Sequence, residues 1–331
     1  MANKKLLIGT VLLVIIAGVA LLKDKLSGPT AAEDPRLGTH VLTDQKLEGV
    51  SGITIKDGDI SLALKKDDKG SWILPDAEGF PASADKVVQF LESLTKAKIV
   101  RRISARKEKL ASLGLDGKKA VNLAGAGGAI LQLNLGKDRS GGGQFISFAG
   151  EDTSWLIDQT LAPGYKADEW EYRKLANVKE DDVKGVSFLP PLKSKNKAVK
   201  ILRDKKEDSF RMDGAGEKEK VAEAEMKAAA GLLKDLGFTN REPVGDKWDK
   251  ALSLAPKVEF QTFAGKTWTM TVVEEKAAKK EDESKFYMHV ETDDGSGLWL
   301  APFMKKWKFE VSSWQGKKFI KGRQDFLSGA G

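Results

Sequence analysis

The sequence predicts an α+β protein, with an N-terminal single transmembrane helix followed by two tandem, duplicated units, each an antiparallel sheet with a packed helix. Three observations carry that reading. The first is an uninterrupted run of apolar and small residues from Leu6 to Leu22, bracketed by Lys4-Lys5 and Lys23-Asp24-Lys25. The second is the alternation of apolar and polar residues over short stretches, the period of a half-buried strand. The third is recurrence: strands, a helix and more strands come back in the same order after roughly 135 residues, which is too long for a solenoid repeat and points to tandem domains. The chain therefore divides into an anchor at residues 1–25, a linker at 26–45, a first α+β unit at 46–175 and a second at 176–331.

The anchor comes first in the chain. At about 1.5 Å per residue, Leu6 to Leu22 reaches the lower limit for crossing a hydrocarbon core about 30 Å thick. A cleaved signal peptide competes with this reading, because a basic start and an apolar core fit it too. Leu21-Leu22-Lys23-Asp24-Lys25 is a poor cleavage site and Thr30-Ala31-Ala32 lies late, so an uncleaved anchor is expected. The short N-terminal tail is easily left in the cytoplasm. The expectation is a bacterial inner-membrane, single-pass protein with a cytoplasmic N-terminus and a periplasmic bulk. No cysteine is present, which excludes a lipoprotein anchor, disulfides and thiolate chemistry.

Gly28-Pro29 and Asp34-Pro35 mark the linker as polar and non-helical. Ile53 and Ile55, then Ile60, Leu62 and Leu64, form two strands about the Asp57-Gly58-Asp59 turn. Pro81-Ala82-Ser83 opens a helix with Ser83 as its cap and Val87, Val88, Phe90, Leu91 and Leu94 along one face. Leu110, Leu113 and Leu115 about Gly114 read as a short helix with a glycine stop. Strands at 121–123, 130–135, 145–148 and 155–157 complete a meander. In the second unit, Val183 to Phe188 and Val199 to Leu202 repeat the opening strands. Ala222 to Leu236 repeats the helix, with Gly237 as its stop. Val258 to Phe260, Thr267 to Val273, Phe286 to Val290 and Leu298 to Leu300 repeat the meander.

Charge and motifs narrow the function. Hydrophobic residues are 41% of the chain, enough for two cores, and the net charge of +7 is spread through mixed runs. Lys193-Ser194-Lys195-Asn196-Lys197 reads as a solvated loop, and no recognition-helix or aromatic-basic pattern points to nucleic acid. Only His40 and His289 exist, without metal-ligand spacing, and alternation with Tyr287 and Glu291 puts His289 at a surface. The acidic pairs Asp57 with Asp59 and Asp293 with Asp294, like Glu180-Asp181-Asp182, sit in turns, where acids serve turn geometry. Gly125-Ala126-Gly127-Gly128 leads into a strand, and the glycines at 136–143 lack a Gly-Lys-Ser/Thr ending, so neither is a nucleotide loop. No catalytic residue, cofactor or metal is expected, and the chain is not read as an enzyme.

Trp72, Trp155, Trp268 and Trp299 fall at strand positions and are expected to fill the cores. Trp170, Trp248, Trp307 and Trp314 sit near unit edges, with Trp170-Glu171-Tyr172-Arg173 and Trp307-Lys308-Phe309-Glu310 in equivalent places. One account is that these seal each sheet against its connector. The sharper one makes Phe303, Trp307 and Trp314, with Lys305, Lys306 and Lys308, a partner-binding surface.

An opening strand pair that ends in Trp72, a helix after Pro81-Ala82, Leu110-Ala111-Ser112-Leu113-Gly114-Leu115-Asp116, and Leu133-x-Leu135-Gly136-Lys137 before a glycine-rich turn resemble the domain of unknown function 4340 family. The match covers most of the first unit. The second keeps Leu236-Gly237-Phe238 but has no Leu-Gly-Leu-Asp phrase. The resemblance implies membrane-tethered envelope proteins, often associated with ABC-type transporters of the gliding-motility auxiliary type, and no established activity. Two functions are in view. One is a non-enzymatic accessory or scaffold subunit of an ABC-type transport system. Its partners would be integral membrane transporter subunits, and residues 6–22 would touch the membrane. The alternative is a periplasmic binding module that captures an envelope lipid or glycan between its units.

Overall fold

Ile53 and Ile55 point to one face of strand β1 (Gly52–Asp57) and are buried, while Thr54 and Lys56 alternate to the other. Gly58 has a positive φ of 60°, which lets the chain reverse within two residues into β2 (Ile60–Lys66) and pair Asp57 with Ile60. The computed structural model describes residues 34–217, 219–277 and 283–328. The chain divides into two compact units after Tyr172.

In the first unit, β3 (Trp72–Leu74) and β4 (Phe80–Pro81) extend the opening hairpin to one edge. Helix α1 (Ala84–Lys96) follows, and the Ser83 hydroxyl accepts the Lys86 amide hydrogen bond that caps it. Val87, Phe90, Leu91 and Leu94 are buried on one helix face, whereas Val88 is half exposed. The chain then enters β5 (Ile99–Ser104) and builds β6 (Lys119–Gly125), β7 (Gly128–Asp138), β8 (Gln144–Phe148) and β9 (Ser154–Ile157). The nine strands form one antiparallel sheet in the order β4-β3-β2-β1-β6-β7-β8-β9-β5. Strand β5 is therefore carried to the far edge, beside β9.

The second unit opens with β10 (Lys174–Ala176), then β11 (Val183–Leu189), β12 (Val199–Leu202) and β13 (Arg211–Met212). Helix α2 (Glu223–Ala230), β14 (Leu236–Gly237), β15 (Asn240–Pro243) and α3 (Trp248–Leu254) come next. Strands β16 (Lys257–Thr262), β17 (Thr267–Glu275) and β18 (Lys285–Thr292) lead to α4 (Ala301–Met304), β19 (Trp307–Val311) and α5 (Ser313–Lys318). The eight-stranded sheet runs β13-β12-β11-β16-β17-β18-β19-β15. This is the order of the first unit without a counterpart of β4, and with β15 standing where β5 stands. Phe260, Trp268, Met270, Met288 and Phe309 fill the core on one face; a smaller cluster of Trp248, Val273 and Tyr287 lies on the other.

Several expectations need correction. Of the described residues, 37% lie in strands and 24% in helices, so the protein is dominated by β-sheet and is not the α+β arrangement the sequence suggests. The reason lies in helix length: α1 has 13 residues and α2 has 8, while each sheet draws strands from the whole of its unit. Among the described residues no helix is long and apolar enough to cross a membrane. A span needs about 20 apolar residues, and α1 is both shorter and amphipathic. The expected single-pass, inner-membrane protein is corrected accordingly: no helix among the described residues supports it. The Leu6–Leu22 run that carried the expectation lies outside the described residues.

Helix α2 also ends earlier than the Ala222–Leu236 reading. Gly231 caps it, residues Gly231–Leu233 tighten to a 3-10 turn, and Asp235 at φ 51° turns the chain into β14. Leu236 is thus buried as a strand residue paired with Ala176. Leu298–Leu300 is a 3-10 turn instead of a strand, with Leu298 exposed and Trp299 half-buried. The strand equivalent to β9 is β19, so Trp307, and not Trp299, occupies the last strand of its sheet.

Packing of α5 depends on Gly316. A Cβ there would overlap Cβ, Cγ and Cδ1 of Phe286 on β18, which is itself fully buried. Gly316→Ala is expected to cost about 1–3 kcal/mol through overpacking. The denaturant midpoint measures it, and Gly245→Ala, with open space at its Cβ position, serves as the control.

Candidate functional site

Alternation along β18 puts Lys285, Tyr287 and His289 on one face of the sheet and the buried Phe286, Met288 and Val290 on the other. Register then sets Glu275 opposite Lys285, Glu310 opposite Tyr287 and Glu242 opposite Lys308. The result is a continuous ion network across four strands. Glu242 Oε1 accepts hydrogen bonds from Lys285 Nζ at 2.9 Å and from the Tyr287 hydroxyl at 3.0 Å. Lys308 Nζ lies 3.2 Å from Glu242 Oε2 and 2.9 Å from Glu275 Oε1. Lys285 Nζ also approaches Glu310 Oε2 at 3.5 Å.

Lys308 sits at the centre, with its side chain only 14% exposed and its ammonium 3.9 Å from the Tyr287 ring centroid. Burial works against its charge, but hydrogen bonds to Glu275 and Glu242 outweigh that and raise its pKa. The Lys285 ammonium, bonded to Glu242, likewise holds its proton more tightly than a free lysine. Glu242 is held below the ordinary carboxylate range by its bond from Lys285, against the opposing pull of burial, with Lys308 and Tyr287 adding to the effect. Burial, then Glu242, pushes the Tyr287 phenol up. These groups satisfy one another, so the network reads as a clamp on β15, β17, β18 and β19. Among the described residues, no group of three or more His, Asp and Glu side chains could hold a metal ion.

The six residues singled out as a partner surface are divided by the fold. Lys308 belongs to the network. Trp307 points to the opposite face, half-buried, with the Arg241 guanidinium 4.0 Å above its ring. Phe303 on α4 is half-buried against Trp299, with centroids 6.1 Å apart. Lys305 and Lys306 are exposed in the turn between α4 and β19. Trp314 is 67% exposed on α5, with Lys318 Nζ 3.3 Å from its ring centroid. Glu242, Glu275, Lys285, Tyr287 and Glu310 carry no motif in the sequence; opposite charges at alternate strand positions were the available signal.

By fold, then, this is a protein of two large antiparallel sheets that share a strand order, with a small β10-β14 pair and a cationic aromatic helix, α5, in the second unit. Its sequence matches the family described as Domain of unknown function (DUF4340) over residues 72–267, more than half of the chain, and the protein belongs to that family. No curated protein and no solved structure matches it. The family phrases noted above meet in space: Gly136 packs so closely on the Leu113 carbonyl and Leu115 that a Cβ would collide with both, and Lys137 Nζ donates to the Ser112 carbonyl at 3.1 Å.

Two outcomes follow from the network and its neighbour. The folded-state pKa of Glu242 lies below its unfolded value, so its contribution is present above the ordinary carboxylate range and is lost as the pH falls through the folded pKa. Glu242→Gln should therefore destabilise by about 1–2 kcal/mol at pH 7 and by much less at about pH 3, read from urea unfolding. His289 behaves oppositely to a surface histidine: its side chain is 16% exposed, and burial holds its pKa below 6.5 despite Glu291. The unfolded chain takes up that proton first, so stability drops as the pH falls just below 6.5. His289→Gln should flatten the stability profile in that window.

Proposed function

We propose that the protein is a non-enzymatic accessory subunit, a scaffold on which partner proteins of an ABC-type transport complex assemble. The observation that carries this reading is Trp314. An indole two-thirds exposed fills no core, yet α5 beneath it is held rigidly: the Ser312 hydroxyl accepts the Gln315 amide at 3.2 Å and Gly316 abuts Phe286. A large aromatic side chain on a pre-ordered helix loses little entropy when covered, and tryptophan beside a cation is what interface hot spots favour. Exposed Lys317 and half-buried Lys318 surround it with positive charge. The transport setting rests on the family resemblance, and the scaffold role rests on this surface.

Purification of the tagged full-length chain from its native host in mild detergent, with quantitative mass spectrometry, tests the reading. Stoichiometric recovery of transporter subunits is expected. Trp314→Ala should lower that recovery about tenfold while leaving the melting temperature unchanged, because the side chain packs on no core. Recovery of the wild-type chain alone overturns the proposal.

A further inference from the structure

A second surface on the same unit has the properties of a peptide site. The end of β11, the end of α3 and the turn after α5 enclose a cleft of about 330 Å³ whose walls include Pro191, Leu254, Ala255, Pro256 and Ile320. A smaller cleft shares Pro191, Pro256 and Ile320 and is bordered by Lys197. Leu254 and Ile320 are 38% and 40% exposed, and Leu192, next to Pro191 in the chain, is 74% exposed. Leu254 and Ile320, both on the cleft wall, are thus left partly in water there.

We infer that this cleft docks an acidic, leucine-bearing segment of a partner protein. The inference rests on the scaffold reading above and names a contact for it. Pro190, Pro191 and Pro256 have no amide hydrogen to offer, so an occupant cannot be held there by a continuous main-chain ladder and must be anchored by side chains. The volume is at the low end of the range of about 300–1,000 Å³ for ligand pockets, which suits a few apolar side chains. Charge selects the occupant. Lys193, Lys195 and Lys197 are exposed in the loop that leaves Pro191, and none is ion-paired among the described residues. Lys321, in the smaller cleft, is already held by Glu225 at 2.5 Å, and Glu274 is the carboxylate on the larger cleft's wall. Lys197 borders the smaller cleft itself, and Lys193 and Lys195 lie in the same loop between Pro191 and Lys197, so the charge beside the apolar anchors favours an acidic occupant.

The test uses the full chain and a fluorescein-labelled dodecapeptide of alternating leucine and glutamate, read by anisotropy. Binding is expected, with about tenfold loss of affinity in Ile320→Glu and in the triple variant Lys193→Glu, Lys195→Glu, Lys197→Glu. Affinity should also fall as salt is raised from about 50 to about 500 mM. All three lysines lie on an exposed loop, so the triple variant keeps the test valid if Ile320→Glu lowers the melting temperature. Failure of the peptide to bind, equal binding by both variants, or equal binding of a leucine–lysine peptide overturns the assignment. If native partners still co-purify with Ile320→Glu while the peptide fails, the cleft is wrong and the scaffold stands. If the peptide binds as stated and no partner co-purifies with the wild type, the scaffold falls and the cleft remains.

Discussion

Each sheet is closed by a strand that arrives from far away in the chain. Residues 99–104 lie on β9 in the first unit, with Ile99 opposite Ile157, and residues 240–243 lie on β19 in the second, with Asn240 opposite Glu310. Closing such loops costs entropy that rises only slowly with loop length, but the contact rewards the chain late in folding. Much of each unit follows from this pairing. In the first, α1 spans the interval between β4 and β5, and Val87, Phe90, Leu91 and Leu94 join the sheet's core. In the second, Glu242 meets Lys308 only because β15 lands on β19. Without that step the most buried lysine of the network would lack one of its two carboxylates.

The two faces of the second sheet divide the labour. The main core stabilises the unit through apolar burial, while the opposite face carries a small aromatic cluster and the ion network beside it. Exposed ion pairs contribute little singly, but a nearly buried ammonium shared by two carboxylates resists removal of either partner. A comparable tether appears in the first unit, where Arg36 forks onto Glu151 at 2.6 and 2.8 Å with its guanidinium 4.6 Å over Phe148. It fixes residues 34–41 against the sheet, reinforced by the Val41 amide donating to Ala97. Against these rigid bodies, Trp314 and the Pro191–Ile320 cleft stand out as surfaces that bury nothing internal.

Local signals proved legible where one residue type settles the backbone. Gly58 makes its hairpin turn, Ser83 caps its helix, and Gly114 turns left-handed at φ 76° after its short helix. The signal weakened where an apolar run fits two structures. Leu232, Leu233 and Leu236 continue a helical pattern, yet Gly231 ended the helix and Leu236 served a strand instead. Leu298-Trp299-Leu300 has the composition of a strand but forms a 3-10 turn, directly after Gly297, which packs against the Trp268 ring. The partner surface suffered from the same ambiguity in space: Trp307 and Lys308 are neighbours in sequence and point to opposite faces.

The sequence by itself determined the places where strands alternate, where helices start and where turns reverse, because those depend on side chains within a few residues of one another. It also carried the repeated order of elements and the phrases that mark the family. Only the tertiary structure decided the strand order, the early end of α2, the meeting of Glu242 with Lys308, and the exposure of Trp314 beside a buried Gly316. Those outcomes depend on register between segments tens of residues apart, and a shift of one residue in any ladder sends every side chain to the other face.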